Sequence, residues 1–324
     1  MSGVNIPVDS THLSDQAIAD MIEQYGGFVD SQFAKKSMMR NFSNVKSVKG
    51  TDTILNRRVG KTSLTTLTAG VRPAATATAF GSTSLTIDTV VMARDNRSML
   101  NEFQIDFNAR KELGMDHGKE LGKLFDESLL IAGIKGAAAA APAGLNGAFG
   151  AGTTATLAAV GDELDPTKLY TALETGVVAM QTADMDTDEC VWFVTPTQYA
   201  VLLNNDKLVN QDYSTENGDF ANGKFKTVMG VPVVATNRLP TAAITGHALS
   251  TAANSNFYDV SAAEARTEAL LLHPSALLVG ETIPLTSDVY FSKIERQWFI
   301  DSLMAYGANF NRPDGCYAVQ SVIV

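Results

Sequence analysis

Apolar positions fall into a helical rhythm over residues 109–134, ARKELGMDHGKELGKLFDESLLIAGI. Leu113, Leu121, Leu124 and Phe125 recur at helical spacing and lead into Leu129, Leu130 and Ile134, with no proline in the stretch. The spacing predicts one helix of about seven turns. Opposite charges three or four apart (Asp116–Lys119, Glu120–Lys123, Lys123–Glu127) favour an exposed face on it. Gly114, Gly118 and Gly122 repeat every four residues, so they stack on one side. Each costs about 1 kcal/mol relative to alanine in a helix interior. A strand or a second backbone is therefore expected close against that side.

Upstream, Ser14 is placed to cap a short helix starting at Asp15, with Ile18, Met21, Ile22 and Tyr25 in one stripe. Gly26-Gly27 predicts its end, and a second short amphipathic piece follows with Val29 and Phe33 on one side. From residue 48 to 94 two β-prone runs appear, TDTILNRRV and SLTIDTVVMA. In the second, Leu85, Ile87, Thr89 and Val91 alternate with Thr86, Asp88 and Val90, as in a strand with one covered face. The middle, KTSLTTLTAGVRPAATATAFGST, has little to fill a core. The two runs are thus expected to form an extended two-stranded arm, poorly stable alone.

Beyond the long helix, residues 136–161 read as a low-complexity loop. Asp165-Pro166 opens a helix whose buried stripe is Leu169, Leu173, Val177 and Met180. A strand at 190–194, a turn at Thr195-Pro196, a short helix at 198–203, a polar stretch at 210–226 and a strand at 231–235 follow. Residues 269–281 are apolar, 288–310 read as one long strand-prone run, NRPDG is a turn, and 316–324 is the last strand. Strands mixed with helices from Asp165 onward indicate an α/β or α+β domain.

The chain has 324 residues, 45% hydrophobic and 19% charged, enough for one large or two moderate cores. It has no run of 18 apolar residues and no basic-then-apolar leader, so neither a membrane span nor a secretory signal is expected. Its net charge of −10 makes a surface that repels nucleic acid. The charge is uneven. Residues 30–61 hold eight basic side chains (Lys35, Lys36, Arg40, Lys46, Lys49, Arg57, Arg58, Lys61) against two acids, leaving a net −16 elsewhere. Such a segment suits either the acidic body of a neighbouring copy or a solvated basic face.

No catalytic, cofactor-binding or metal-binding set emerges. Gly60-Lys61-Thr62 ends like a phosphate-binding P-loop, but Leu55 stands where that loop needs glycine. LNGAFGAG does not join a strand to a helix, so it is no dinucleotide turn. G-x-S-x-G, H-E-x-x-H and C-x-x-C do not occur. His12, His117, His247 and His273 lack metal-ligand spacing, and His273-Pro274-Ser275 reads as a packed core histidine. Asp184, Asp186, Asp188 and Glu189 read as a solvated turn ahead of a weak cation site. Cys190 and Cys316, far apart in apolar contexts, read as buried free thiols. Phe28, Phe33, Trp192, Phe193, Trp298 and Phe299 sit at core-like spacings without an interleaved basic groove.

The order of elements resembles the HK97-type phage major capsid fold, an α+β architecture. Five stretches are similar to the major capsid proteins of T7-like short-tailed phages: YGGFVDSQFAKKS (25–37), GKELGKLFDESL (118–129), FVTPTQYAVLLNN (193–205), VMGVPVVATNRLP (228–240) and LLHPSALLVG (271–280). The resemblance implies an N-terminal arm (1–47), an extended E-loop (48–93), a P-domain (94–163 with 284–300) and an A-domain (164–283 with 301–324). It implies a virion protein assembled in the host cytoplasm into hexamers and pentamers around double-stranded DNA, with no sequence-specific contact. It further implies a scaffolding protein and a portal as partners, with no enzyme activity, cofactor or membrane. Phe28, Phe33, Arg57, Arg58, Lys61 and Arg72 are the expected contacts between subunits. Some relatives crosslink an E-loop lysine to a neighbour's asparagine; Lys61 lies in the right arm, but no matching asparagine and glutamate are found. An encapsulin-type compartment shell is the alternative with a related fold, and a soluble enzyme lacks any convergent polar set.

Overall fold

The computed structural model describes residues 15–72, 75, 77–98, 109–205, 208, 218–219, 224–225 and 227–322. The chain opens with helices α1 (Asp15–Lys36) and α2 (Met39–Phe42) and strands β1 (Val45–Ser47), β2 (Thr53–Val59), β3 (Phe80–Thr86) and β4 (Val91–Ser98). The long helix α3 (Ala109–Ala137) leads to β5 (Thr153–Thr156), α4 (Pro166–Thr182), β6 (Val191–Val194) and α5 (Pro196–Leu202). Short strands β7 (Gly218–Asp219), β8 (Lys224–Phe225) and β9 (Thr227–Val228) precede β10 (Val231–Ala235) and β11 (Thr267–Leu272). Then come β12 (Leu277–Ser292), β13 (Gln297–Phe310) and β14 (Cys316–Gln320). The architecture is α+β, in two compact units: Met1–Met38 with Val90–Lys123 and Ile283–Ala305, and Met39–Thr89 with Leu124–Thr282 and Tyr306–Val324.

In the first unit, α1 lies along the glycine face of α3. A Cβ at Gly118 would overlap the carbonyl oxygen of Val29, and one at Gly114 would stand 2.9 Å from the Tyr25 ring. The second backbone demanded by the glycine repeat is therefore α1. Tyr25 and Val29 are buried with Val289 and Ile300, and Leu113, Leu285 and Trp298 pack around them. β4 pairs antiparallel with the first part of β13, from Ser98↔Gln297 to Val91↔Met304. Arg94 Nε and Nη2 hold both oxygens of Asp301 at 2.8 and 2.6 Å across that pair. The Asp116–Lys119 and Glu120–Lys123 pairs form on the exposed side of α3.

In the second unit, a six-stranded sheet has the order β5-β14-β11-β6-β10-β9. Leu169, Leu173, Val177 and Met180 of α4 pack on Trp192, Val194, Ala269, Leu271, Tyr317 and Val319. Gly133 of α3 meets Leu270 and Leu272, the alternate residues of β11. Helices thus cover both faces, which explains why residues 269–272 are apolar without alternation. Asp165 caps α4 as expected, accepting from the N–H of Thr167 and Lys168. Thr195 caps α5. β2 and β3 form their own antiparallel pair, in register from Thr53↔Thr86 to Val59↔Phe80.

Several expectations need correction. Gly26-Gly27 does not end a helix: α1 runs through to Lys36. Two mid-helix glycines cost about 2 kcal/mol, which burial of Val29 and Phe33 beyond the expected break exceeds. The alternating run from Leu85 is not one strand. β3 stops at Thr86, β4 starts at Val91, and Ile87 N–H turns to Asp52 O at 2.9 Å. The 136–161 loop contains β5, parallel to β14. Small residues permit this, because a Cβ at Gly152 would overlap Gly136 O. The 288–310 run is a hairpin that turns between Ser292 and Gln297, with Arg296 at φ 57. Ser14, His12, Val324 and most of the 210–226 stretch lie outside the described residues, as do the side chains of Ile18, Met21 and Ile22.

Two glycines of one face should respond oppositely to substitution. Gly118→Ala drives a methyl into a backbone carbonyl and is expected to destabilise by about 1–3 kcal/mol. Gly122→Ala meets its nearest atom at 3.6 Å and is expected to stabilise by up to about 1 kcal/mol. Thermal unfolding of the two purified variants checks this; equal shifts would contradict the packing.

Candidate assembly surface

Among the described residues, several groups of the kinds that do chemistry lie in buried clusters. In the first unit, Tyr25 Oη lies 2.6 Å from His117 Nδ1 and 2.8 Å from Ser302 Oγ, while His117 Nε2 lies 2.9 Å from Asp95 Oδ2. This string has the residue types of a hydrolase triad, and Ser302 Oγ itself lies 3.4 Å from His117 Nδ1, but Ser302 is fully buried and the Tyr25 hydroxyl makes the shorter contact to both. Burial pushes the Tyr25 hydroxyl up to about 12. In the second unit Cys190 and Cys316 are buried free thiols. Burial lifts Cys190 to about 12 and Cys316 further still. Among the described residues no group of three or more His, Cys, Asp or Glu side chains is arranged to hold a metal, and no helix is long and apolar enough to cross a membrane.

What the second unit does expose is apolar surface on the β2–β3 arm. Leu64 is 95% exposed, Leu67 78% and Phe80 78%, and Leu55, Val59 and Val71 are also exposed. The inner side of the arm is satisfied. Leu85 and Ile87 are buried against Gly307, and a Cβ at Gly280 would overlap Ile54. Where β2 and β3 lead into the 60–79 loop, Leu145 of the 138–152 loop packs over Gly81, where a Cβ would stand 3.1 Å from it, and its carbonyl accepts from Lys61 N–H at 3.1 Å. Elsewhere, in the first unit, Ile294 stands 94% exposed at the turn of the β12–β13 hairpin.

The six expected contact residues divide between the two units. Phe33 is buried over Gly122, and Phe28 is half-buried with Lys111 Nζ 5.6 Å from its ring centre. On the arm, Arg57, Lys61 and Arg72 are exposed, whereas Arg58 is buried. The sequence reading passed over Leu64, Leu67 and Phe80. Their signal was available, since large apolar residues in a threonine-rich stretch without periodicity have no core to enter.

A family model described as "Phage capsid protein" matches residues 100–319. The mature capsid of bacteriophage PhiM1 superposes with a TM-score of 0.78 at 28% identity, covering 89% of this chain and 88% of that one. The capsid of cyanophage P-SCSP1u also gives 0.78, at 17% identity and 89% of each chain. A virus-like particle from Pyrococcus furiosus gives 0.55 at 11% identity, covering 92% and 99%. Curated protein sequences contain no match.

Two histidines of the second unit should make stability fall with acid. His247 Nδ1 accepts Leu249 N–H at 3.2 Å, and His273 Nδ1 accepts Ser275 N–H at 3.1 Å. Burial lowers both below the ordinary histidine value. The unfolded chain therefore takes up these protons first. Their contribution is complete above about pH 6.5 and lost as the pH falls through the depressed folded values. The melting temperature of the His247→Asn/His273→Asn variant, whose amides can accept the same N–H groups, should fall less steeply from pH 7 to 5 than that of the parent; equal slopes would refute this.

Proposed function

The chain belongs to the phage capsid protein family, and from that membership we propose that it is the shell subunit of a T7-like short-tailed phage. Its fold is the HK97-like α+β fold and its role is structural, as a capsid component of the virion. In the fuller reading, copies close into hexamers and pentamers around double-stranded DNA, first on a scaffolding protein in the host cytoplasm, with a portal at one vertex. Residues 1–47 act as an arm, 48–93 as the E-loop, 94–163 with 284–300 as the P-domain and 164–283 with 301–324 as the A-domain.

The observation that carries this reading is the exposure of Leu64, Leu67 and Phe80 on an arm with only two strands. Two strands with solvated leucines are marginal alone. Burying each such side chain is worth about 1.5–3 kcal/mol. A second copy, with the same arm and the same need, is the simplest source of the missing surface. The acidic remainder of the chain suits a wall that does not grip its cargo. The exposed Arg57, Lys61 and Arg72 suit contact with a neighbour's acids.

Electron microscopy of the purified protein, expressed alone and with the genes beside it, tests the reading. Closed shells are expected; a monodisperse monomer under every condition would sink it, and shells holding a protein cargo in place of DNA would favour a compartment. Leu64→Ser/Leu67→Ser should leave the melting temperature of the unassembled chain within about 0.5 kcal/mol equivalents of the parent while abolishing shells. Arg57→Glu should lower particle yield with an unchanged far-ultraviolet circular dichroism spectrum, and a normal yield would remove the arm–acid contact from the proposal.

A further inference from the structure

Among the described residues of the arm, Arg58 is the buried side chain whose hydrogen bonding is unfinished in the single chain. It is 8% exposed, and its Nε and Nη2 are buried without a hydrogen-bond partner among the described residues. These two atoms form one edge of the guanidinium, with parallel N–H bonds spaced to match the two oxygens of a carboxylate. The chain uses that same edge twice elsewhere. Arg94 Nε and Nη2 hold Asp301 at 2.8 and 2.6 Å. Arg312 Nε and Nη2 hold Asp314 at 3.2 and 2.9 Å.

The charges around Arg58 do not balance. Its guanidinium lies 5.7 Å from the centre of the Phe149 ring, and that of Arg312 lies 5.0 Å from the same ring. Asp314 is the carboxylate nearby. Both its oxygens are taken by Arg312, and one also accepts Gly150 N–H at 3.4 Å. Two cations thus share one anion; Arg312 is partly exposed, but Arg58 and Asp314 are buried, where an unpaired charge is costly. Burial and Arg312 both lower the Arg58 pKa, and Asp314 acts against them.

We infer that the Nε/Nη2 edge of Arg58 receives a carboxylate side chain from a second copy of this chain. The inference rests on the shell reading above and adds to it a named receptor on the arm, one residue from the loop end of its ladder. A second copy is the fitting source for two reasons. Arg58 lies on β2 between the exposed Arg57 and Val59, in the strand that leads to the exposed Leu64 and Leu67. Outside residues 30–61 the chain carries a net −16, so a neighbour presents carboxylates in excess. The contact requires a shift of the cover over Arg58, which includes Phe149 of the irregular 138–152 loop.

A cryo-electron microscopy map of parent shells is the direct test. Density for a neighbour's Asp or Glu about 3 Å from Nε and Nη2 supports the inference; an edge that meets only its own chain in the shell overturns it while leaving the shell reading intact. If the parent forms no shells at all, the shell reading fails and takes this inference with it. Arg58→Met supplies a second readout. Its melting temperature as an unassembled chain should equal or exceed the parent's, because a buried unpaired charge is removed. The concentration at which shells appear should rise about tenfold, the effect of losing one charge-assisted contact. Shells at the parent's threshold would overturn the inference. Inorganic phosphate that raises the melting temperature of the unassembled parent but not of Arg58→Met would assign the edge to a free anion and would equally overturn it.

Discussion

The close approach of one backbone to the glycine face of α3 is the constraint on which the first unit depends. A helix with ordinary side chains at 114, 118 and 122 would keep α1 at the usual spacing of 8–10 Å between axes. Glycine lets the Val29 carbonyl reach van der Waals contact with Gly118, so Tyr25, Val29 and Phe33 enter a core that short helices alone could not build. The same device recurs where α3 continues into the second unit. Gly133 admits Leu270 and Leu272, and Gly136 admits the Cys316 sulfur, which a Cβ there would meet at 2.8 Å. One helix thus spends conformational stability along its whole length to obtain close packing.

The arm follows the opposite logic. Its inner face is satisfied by Leu85, Ile87 and Ile54, and its outer face presents leucines and a phenylalanine to water. Natural edge strands are usually blunted by charge or proline. Here charge is present at Arg57 and Lys61, but the apolar residues between Val59 and Phe80 are not hidden by it. Large exposed apolar patches mark interaction sites, and a capsid subunit is a protein that must meet copies of itself.

The buried polar groups show what a structural role looks like at the atomic level. The Ser302–Tyr25–His117–Asp95 string uses residue types that elsewhere activate a nucleophile, yet here each member is spent on tying α1, α3, β4 and β13 together. Geometry decides the difference: a catalytic serine needs a free approach for its substrate, and Ser302 has none.

Much of this was legible from residues alone. The glycine repeat at 114, 118 and 122 demanded a near backbone, Asp165-Pro166 announced α4 with its buried stripe, and the threonine-rich strands announced a two-stranded arm. These are local statements, set by turn chemistry, propensity and periodicity within a few residues. Continuation of α1 through Gly26-Gly27, the hidden strand β5 and the break between β3 and β4 were not legible, because each is decided by partners far along the chain. The burial of Arg58 between two exposed neighbours belongs to the same class. A side chain's period assigns it to a face of its strand, but only tertiary packing, with Phe149 over the guanidinium, turned an ordinary arm arginine into a buried cation without a hydrogen-bond partner at Nε and Nη2.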